Sequence, residues 1–355
     1  MVEDTWDDED PDTDVAEQAD ELAVRFSMTT QPKQEPMRLD KFLMVRLDGA
    51  TRNKVQQAIE AGMILVNNKI VAPNYRVRPN DFIIVYDTRR PESTEVIPEN
   101  MPLNIVYEDD DVLIVNKPAG MVVHPACGNY TGTLVNGLAY YLAQQKKEGE
   151  ELLPRVGLAH RIDKDTTGLM VIAKTEKAMV HVSAQFKAHT VHRRYVALVW
   201  GDLEEDEGTI ICNVGRNARF RKIMAAYPDG DTGKEAITHY KVLERFNYTT
   251  LVQLHLETGR THQIRVHMAH IGHPLFADET YGGDRIVKGT VFSKYKQFVD
   301  NCFDIIHRQS LHAKELGFEH PTTGEFIKFD SELPTDMQQV IEKWRNYSHG
   351  MVKRG

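Results

Sequence analysis

The chain has 355 residues, of which 41% are hydrophobic and 27% charged, and a formal net charge of −9. That length suits two domains with a sizeable core, and no apolar run approaches the ~20 residues of a membrane-spanning helix. No basic-plus-apolar signal peptide is read at the start, and the cysteines (Cys127, Cys212, Cys302) stand far apart, which excludes a disulfide framework or a cysteine zinc site and points to a reducing, cytoplasmic setting.

The charge is unevenly spread. Residues 1–36 hold twelve Asp/Glu against two basic residues, net −10, so the remaining 41 basic and 40 acidic residues sum to +1. The acidic segment is poor in aromatic residues and is expected to be a disordered tail. Residues 37–86 are different: eight Lys/Arg against four Asp/Glu, or +4. Here Leu39, Phe42, Leu43 and Leu47 fall at helical spacing. Thr51 can cap a second helix with Val55, Ala58 and Ile59 as its buried stripe. Met63–Val66, an Asn67–Asn68 turn and Lys69–Val71 read as a hairpin, followed by a strand at Phe82–Tyr86.

Residues 87–100, with Pro91 and Pro98, suit a linker. A large domain is expected over 101–334. Strands are predicted at Ile105–Tyr107, Val112–Asn116, Leu169–Lys174, Tyr195–Trp200 and Thr250–Glu257, with helices at Thr133–Gln144, Glu176–Lys187 and Thr261–Ile271. Residues 335–355 read as a C-terminal helix and tail, the short amphipathic helix spanning 335–346 with Met337, Val340, Ile341 and Trp344. Strands and helices without strict alternation imply an α+β fold with a largely antiparallel mixed sheet flanked by helices.

In the basic unit Arg38 and Lys41 share a helical face, and Arg52 and Lys54 open the next helix, where backbone N–H groups also favour phosphate. Met37–Arg38–Leu39–Asp40–Lys41–Phe42–Leu43, Thr51–Arg52 and Gly62–Met63–Ile64–Leu65–Val66–Asn67 resemble the S4 RNA-binding domain. The resemblance covers residues 37–86 and implies RNA binding through Arg38, Lys41, Arg52 and Lys54.

Three segments of the large domain concentrate reactive residues. Asp163, in Gly157–Leu158–Ala159–His160–Arg161–Ile162–Asp163, lies on a loop before an apolar strand, where an acid can serve either as a turn residue or as a site residue on a rigid scaffold. Arg260, His262, Arg265 and His267 crowd one helix start. An arginine in a partly buried helix needs an anionic partner, and Asp163 is a candidate. Together with Lys117–Pro118–Ala119–Gly120, His124–Pro125 and Arg308–Gln309–Ser310–Leu311–His312–Ala313, these strings resemble the RluA/RluD-type family of pseudouridine synthases. The chain has Ile162 where relatives usually have Leu, and lacks their His–Pro after Arg216.

The resemblance implies a cofactor-free, metal-free enzyme that isomerises uridine in RNA, most often large-subunit ribosomal RNA, with transfer RNA as the alternative target. Asp163 is the implied nucleophile, Arg265 its partner and Tyr195 the residue that stacks on the base. Arg161, His160 and Arg260 are the implied RNA contacts. A monomer is the simplest assembly. Rival readings are an RNA-binding module without catalysis, a metal hydrolase using His262, His267, His270 and His273, and a glycosidase using Asp163 with Asp165. The histidine spacing does not keep one helical face, and residues two apart on an extended loop diverge.

Overall fold

Phe26 and Met28 turn inward while Ser27 and Thr29 face solvent, the two-residue period of a half-buried strand. The computed structural model describes residues 23–47, 51–60, 62–67, 69–87, 96–125, 129, 131–145, 152–218, 220, 223–290 and 292–352. The chain divides into two compact units. One comprises Met1–Glu95, Ala126–Tyr130 and Arg216–Ile223, and the other Val96–Pro125, Thr131–Gly215 and Met224–Gly355.

The first unit contains β1 (Ala23–Thr29), β2 (Met37–Arg38), α1 (Leu39–Met44), α2 (Arg52–Glu60), β3 (Ile64–Val66), β4 (Lys69–Ile70), β5 (Arg76–Val77) and β6 (Phe82–Asp87). Its main sheet runs β1-β6-β3-β4. Leu39, Phe42, Leu43, Val55, Ile59, Val77 and Ile83 form one core. Asn67 takes the left-handed φ of 52° that the β3–β4 turn requires.

Strand β1 corrects the expectation of a disordered tail reaching residue 36. It pairs antiparallel with β6 from Ala23↔Asp87 to Thr29↔Phe82. Thr30 then exchanges backbone and side-chain hydrogen bonds with Asp81 and donates to the Arg78 carbonyl at 2.6 Å. The acidic residues that dominated the reading lie at 3–21; from 23 to 36 only Glu35 is acidic. The rest of the expected tail, 1–22, and most of the expected linker, 88–95, lie outside the described residues.

The second unit holds β7 (Ile105–Glu108), β8 (Val112–Lys117), α3 (Leu134–Ala143), β9 (Thr167–Ala173), α4 (Glu176–Lys187), β10 (His192–Trp200), β11 (Glu207–Ile211), β12 (Asn213–Arg216), β13 (Met224–Tyr227), β14 (Ile237–Arg245), β15 (Thr249–Leu256), α5 (Gln263–His270), α6 (Ser293–Phe303), β16 (Leu311–Glu319), β17 (Phe326–Asp330) and α7 (Thr335–Val352). The large sheet runs β11-β14-β15-β10-β16-β9-β8-β7, with β17 also on β16. Its pairings are antiparallel except β16 with β9. The α+β, largely antiparallel architecture thus follows the sequence reading.

Strand β16 forks. His312 and Ala313 pair with β9, and Glu315–Glu319 pair with β17. Alternation on β10 sorts the core into two faces. Tyr195, Ala197 and Val199 join the cluster that includes Ile162 and Ile264, whereas Val196, Leu198 and Trp200 join the aromatic cluster under α6 and α7. The stripe predicted at Met337, Val340, Ile341 and Trp344 is the buried face of α7. Among the described residues no helix is long and apolar enough to cross a membrane.

Candidate active site

Register brings the site together. Lys117↔Gly168, Gly168↔Ala313, Ala313↔Tyr195 and Tyr195↔Leu254 form one row across β8, β9, β16, β10 and β15. The row meets the loop that carries Asp163 into β9. Gly168 has φ +121°, and a Cβ there would lie 2.2 Å from the Ala313 carbonyl oxygen, so only glycine lets the two strands meet.

The Asp163 loop is clamped from two sides. The fully buried Lys117 side chain donates from Nζ to the carbonyls of Lys164 (2.8 Å), Met121 (2.8 Å) and Pro118 (3.0 Å). Burial pushes Lys117 down to about 7. Opposite, Arg308 Nη1 donates to the Asp165 carbonyl at 3.0 Å while its other nitrogens grip Asp336 on α7 at 2.8 and 2.9 Å. Within the loop the Thr166 amide donates to the Asp163 carbonyl at 3.1 Å.

Helix α5 delivers the cation. Arg265 Nη1 donates to Asp163 Oδ2 at 3.2 Å. Its Nε and Nη2 hold the two oxygens of fully buried Asp278 at 2.7 and 2.9 Å, a bidentate grip that fixes the guanidinium plane. Asp278 Oδ1 also accepts the amides of Thr280 and Tyr281, and the Arg265 guanidinium lies 5.0 Å from the Tyr281 ring centroid.

His262, at the start of α5, has a left-handed φ of 56°. The Tyr281 hydroxyl accepts the Met224 amide at 3.1 Å and shares a hydrogen bond with His262 Nδ1 at 2.9 Å. The other ring nitrogen, Nε2, faces Asp163 Oδ1 at 3.9 Å. Burial pushes the Asp163 carboxyl up, but the charges of His262, Arg265 and Arg161 outweigh it and the net direction is down. Burial also pushes His262 down, so the permanent charges beside the carboxylate are the guanidiniums of Arg265 and Arg161.

Tyr195 lies on the same face of the sheet and is 7% exposed. Burial pushes its phenol up, so it keeps its proton at neutral pH. His160 is committed elsewhere. Its Nε2 accepts the Val171 amide at 3.1 Å and its ring stacks on Phe186 at 4.5 Å. Burial pushes it down to about 3, so it is a neutral acceptor. Arg260 donates from Nε to the Glu235 carbonyl at 3.1 Å. The remaining histidines diverge: His267 bonds to Thr238 and the Cys212 carbonyl, and His273 to the Trp200 carbonyl.

In the first unit, Asp40 organises the basic surface. Its fully buried carboxylate accepts Arg38 Nε and Nη2 (3.1 and 2.8 Å), Arg52 Nε (3.2 Å), Gln56 Nε2 (2.9 Å) and the Lys41 amide (2.8 Å). The Arg38 hydrogen bond leads in holding Asp40 far below the usual carboxylate range. Lys41 is exposed. The side chain of Lys54 lies outside the described residues.

Residues 37–83 match the S4 domain and residues 111–270 match the family described as RNA pseudouridylate synthase. An uncharacterized RNA pseudouridine synthase of Chlorobaculum parvum is 47% identical over 313 residues, covering 88% of this chain and 95% of that protein. The chain belongs to the RNA pseudouridylate synthase family. Ribosomal large subunit pseudouridine synthase D of Haemophilus influenzae is 38% identical over 90% of this chain and 94% of its own. The solved human RNA pseudouridylate synthase domain containing 4 shares the fold, with a TM-score of 0.52, 24% identity and coverage of 68% of this chain and 93% of its own.

For this synthase, sequence reasoning named Asp163, Arg265 and Tyr195, and all three lie in the second unit with Asp163 and Arg265 in contact. It missed Asp278, Tyr281 and Lys117 as partners. The signal for Asp278 was the buried arginine itself, which needs more negative charge than one partly exposed carboxylate supplies.

Proposed function

We propose that this chain converts uridines of large-subunit ribosomal RNA to pseudouridine, with Asp163 as nucleophile. The observation that carries the reading is the Asp163–Arg265 contact. The guanidinium is locked by Asp278, so a carboxylate in an otherwise desolvating site stays charged and aimed. Relatives named for the large ribosomal subunit support the target.

Asp163 Oδ attacks C1′ of a nucleotide drawn out of its stack, and the N1–C1′ bond breaks with its electron pair leaving on uracil. The base turns within the site, C5 bonds C1′, and the carboxylate departs. The C5 proton is lost and N1 gains one, so no atom is added or removed overall. The Tyr195 ring supports the base by stacking, and its phenol takes part in proton movement. Arg161 and Arg260 contact RNA near the target, and Arg38, Lys41, Arg52 and Lys54 contact it through the S4-type unit. His160 is better read as a structural residue, because its acceptor nitrogen serves the Val171 amide.

Pseudouridine mapping in cells lacking the gene tests the target. Loss of sites in large-subunit ribosomal RNA is expected. Loss confined to transfer RNA contradicts the assigned target, and no lost site contradicts the activity.

A further inference from the structure

The other buried cations of the second unit have their donors satisfied: Arg265 by Asp278 and Asp163, Arg308 by Asp336, and Lys117 by three carbonyls. Arg193 has no carboxylate partner among the described residues. The residue is only 8% exposed, its Nε has no hydrogen-bond partner, and its Nη2 reaches the Leu256 carbonyl at a long 3.5 Å. The guanidinium carbon stands 5.5 Å from the Phe186 ring centroid, which supplies no counter-charge. An uncompensated buried cation is costly, and native proteins keep such a group where a ligand completes it.

Its position says which ligand. Arg193 lies two residues before Tyr195 on β10, so the pleat sends both side chains to one face. Its Nη1 lies beneath Gly259, an exposed residue of the turn that leads to His262 and Arg265. A Cβ at Gly259 would stand 2.9 Å from Nη1. Exposed Gly259 therefore lies directly against the guanidinium, and Arg260 follows it. RNA carries a phosphate on each side of any nucleotide that reaches Tyr195, and a planar guanidinium matches a phosphate edge.

We propose that Arg193 is the seat of an RNA phosphate flanking the target nucleotide, reached past Gly259. This rests on the reading that the target enters over Asp163 and Tyr195. The test is binding of the full chain to a large-subunit ribosomal RNA transcript across about 50 to 200 mM salt, together with thermal unfolding of the free protein. Arg193→Met is expected to bind about tenfold more weakly at low salt, with a log–log salt slope shallower by roughly 0.7–0.9, the share of one phosphate contact. Arg193→Lys keeps the wild-type slope. The unfolding midpoint of Arg193→Met stays level or rises, because a buried unpaired charge has gone; a purely structural arginine predicts a fall. If Arg193→Met does not fold, Arg193→Gln takes its place.

An unchanged slope with a lowered midpoint overturns the proposal. So does a loss confined to kcat with intact binding, which would make Arg193 a partner of the departing uracil instead. Failure of the wild-type chain to form pseudouridine in the same transcript sinks the functional reading. Pseudouridine formation with an unchanged Arg193→Met slope sinks only the phosphate seat.

Discussion

Arg265 answers to two carboxylates, and their inequality defines its task. Asp278 is fully buried and takes two of its nitrogens, whereas Asp163 takes one and is 18% exposed at its side chain. The first carboxylate fixes the guanidinium, and the second is left able to react. Arg265→Lys keeps a charge but loses the planar fork, so Asp163 loses part of its stabilisation while burial still pushes its carboxyl up. Its pKa therefore rises, and the acid limb of the kcat profile, which reflects loss of the carboxylate form as pH falls, moves to higher pH. A pH–rate series on this variant checks the sign; an unmoved limb contradicts the pairing. Asp278→Asn leaves the buried arginine with one partner and is expected to cost about 3 kcal/mol of stability, read by denaturant unfolding. Asp163 and Arg265 were legible because each stands in a dense motif. Asp278 was not, because it follows thirteen residues later among ordinary turn residues and declares itself only once the chain has folded back.

The loop that presents Asp163 owes its shape to elements on both sides. Lys117 closes it from the end of β8 and Arg308 from the loop before β16, and Arg308 is itself held by Asp336 of α7. Lys117→Met removes three donations and strands buried carbonyls. A loss of about 3 kcal/mol is expected at roughly 1 kcal/mol each, with kcat falling before KM changes. Wild-type stability in that variant would show that the clamp contributes nothing. Trp344→Ala, which empties the aromatic cluster under α7, is expected to cost about 3–5 kcal/mol in the same assay. Helices with a side-chain cap, such as α4 after Thr175, or a clear apolar stripe, such as α7, were readable. β14 was not, because its inward Tyr240 and Val242 are only half-buried and its outward side is charged. The fork of β16 was also hidden: one strand serves two partners along one edge, and no periodicity encodes that choice.

At the scale of the whole chain, composition misled once, where twelve acidic residues masked a strand. β1 covers one edge of β6, and Thr30 ties it to the Arg78–Asp81 turn. A chain starting at residue 37 is thus expected to unfold its first unit at a lower temperature than one starting at residue 23, and to bind RNA more weakly. Calorimetry on the two truncations decides this, and equal midpoints would remove β1 from the working unit. The basic face beyond it is set by Asp40, which orients Arg38 and Arg52 rather than leaving them as free charges. Residue counting found those arginines but could not find the acid that arranges them.

The chemistry is tested most directly by Asp163→Asn, which preserves the shape of the side chain and removes its charge. Purified variant and wild type are incubated with large-subunit ribosomal RNA transcript, and pseudouridine is mapped chemically alongside RNA affinity. The account predicts no detectable isomerisation by the variant with affinity close to wild type. Normal modification by Asp163→Asn would contradict it.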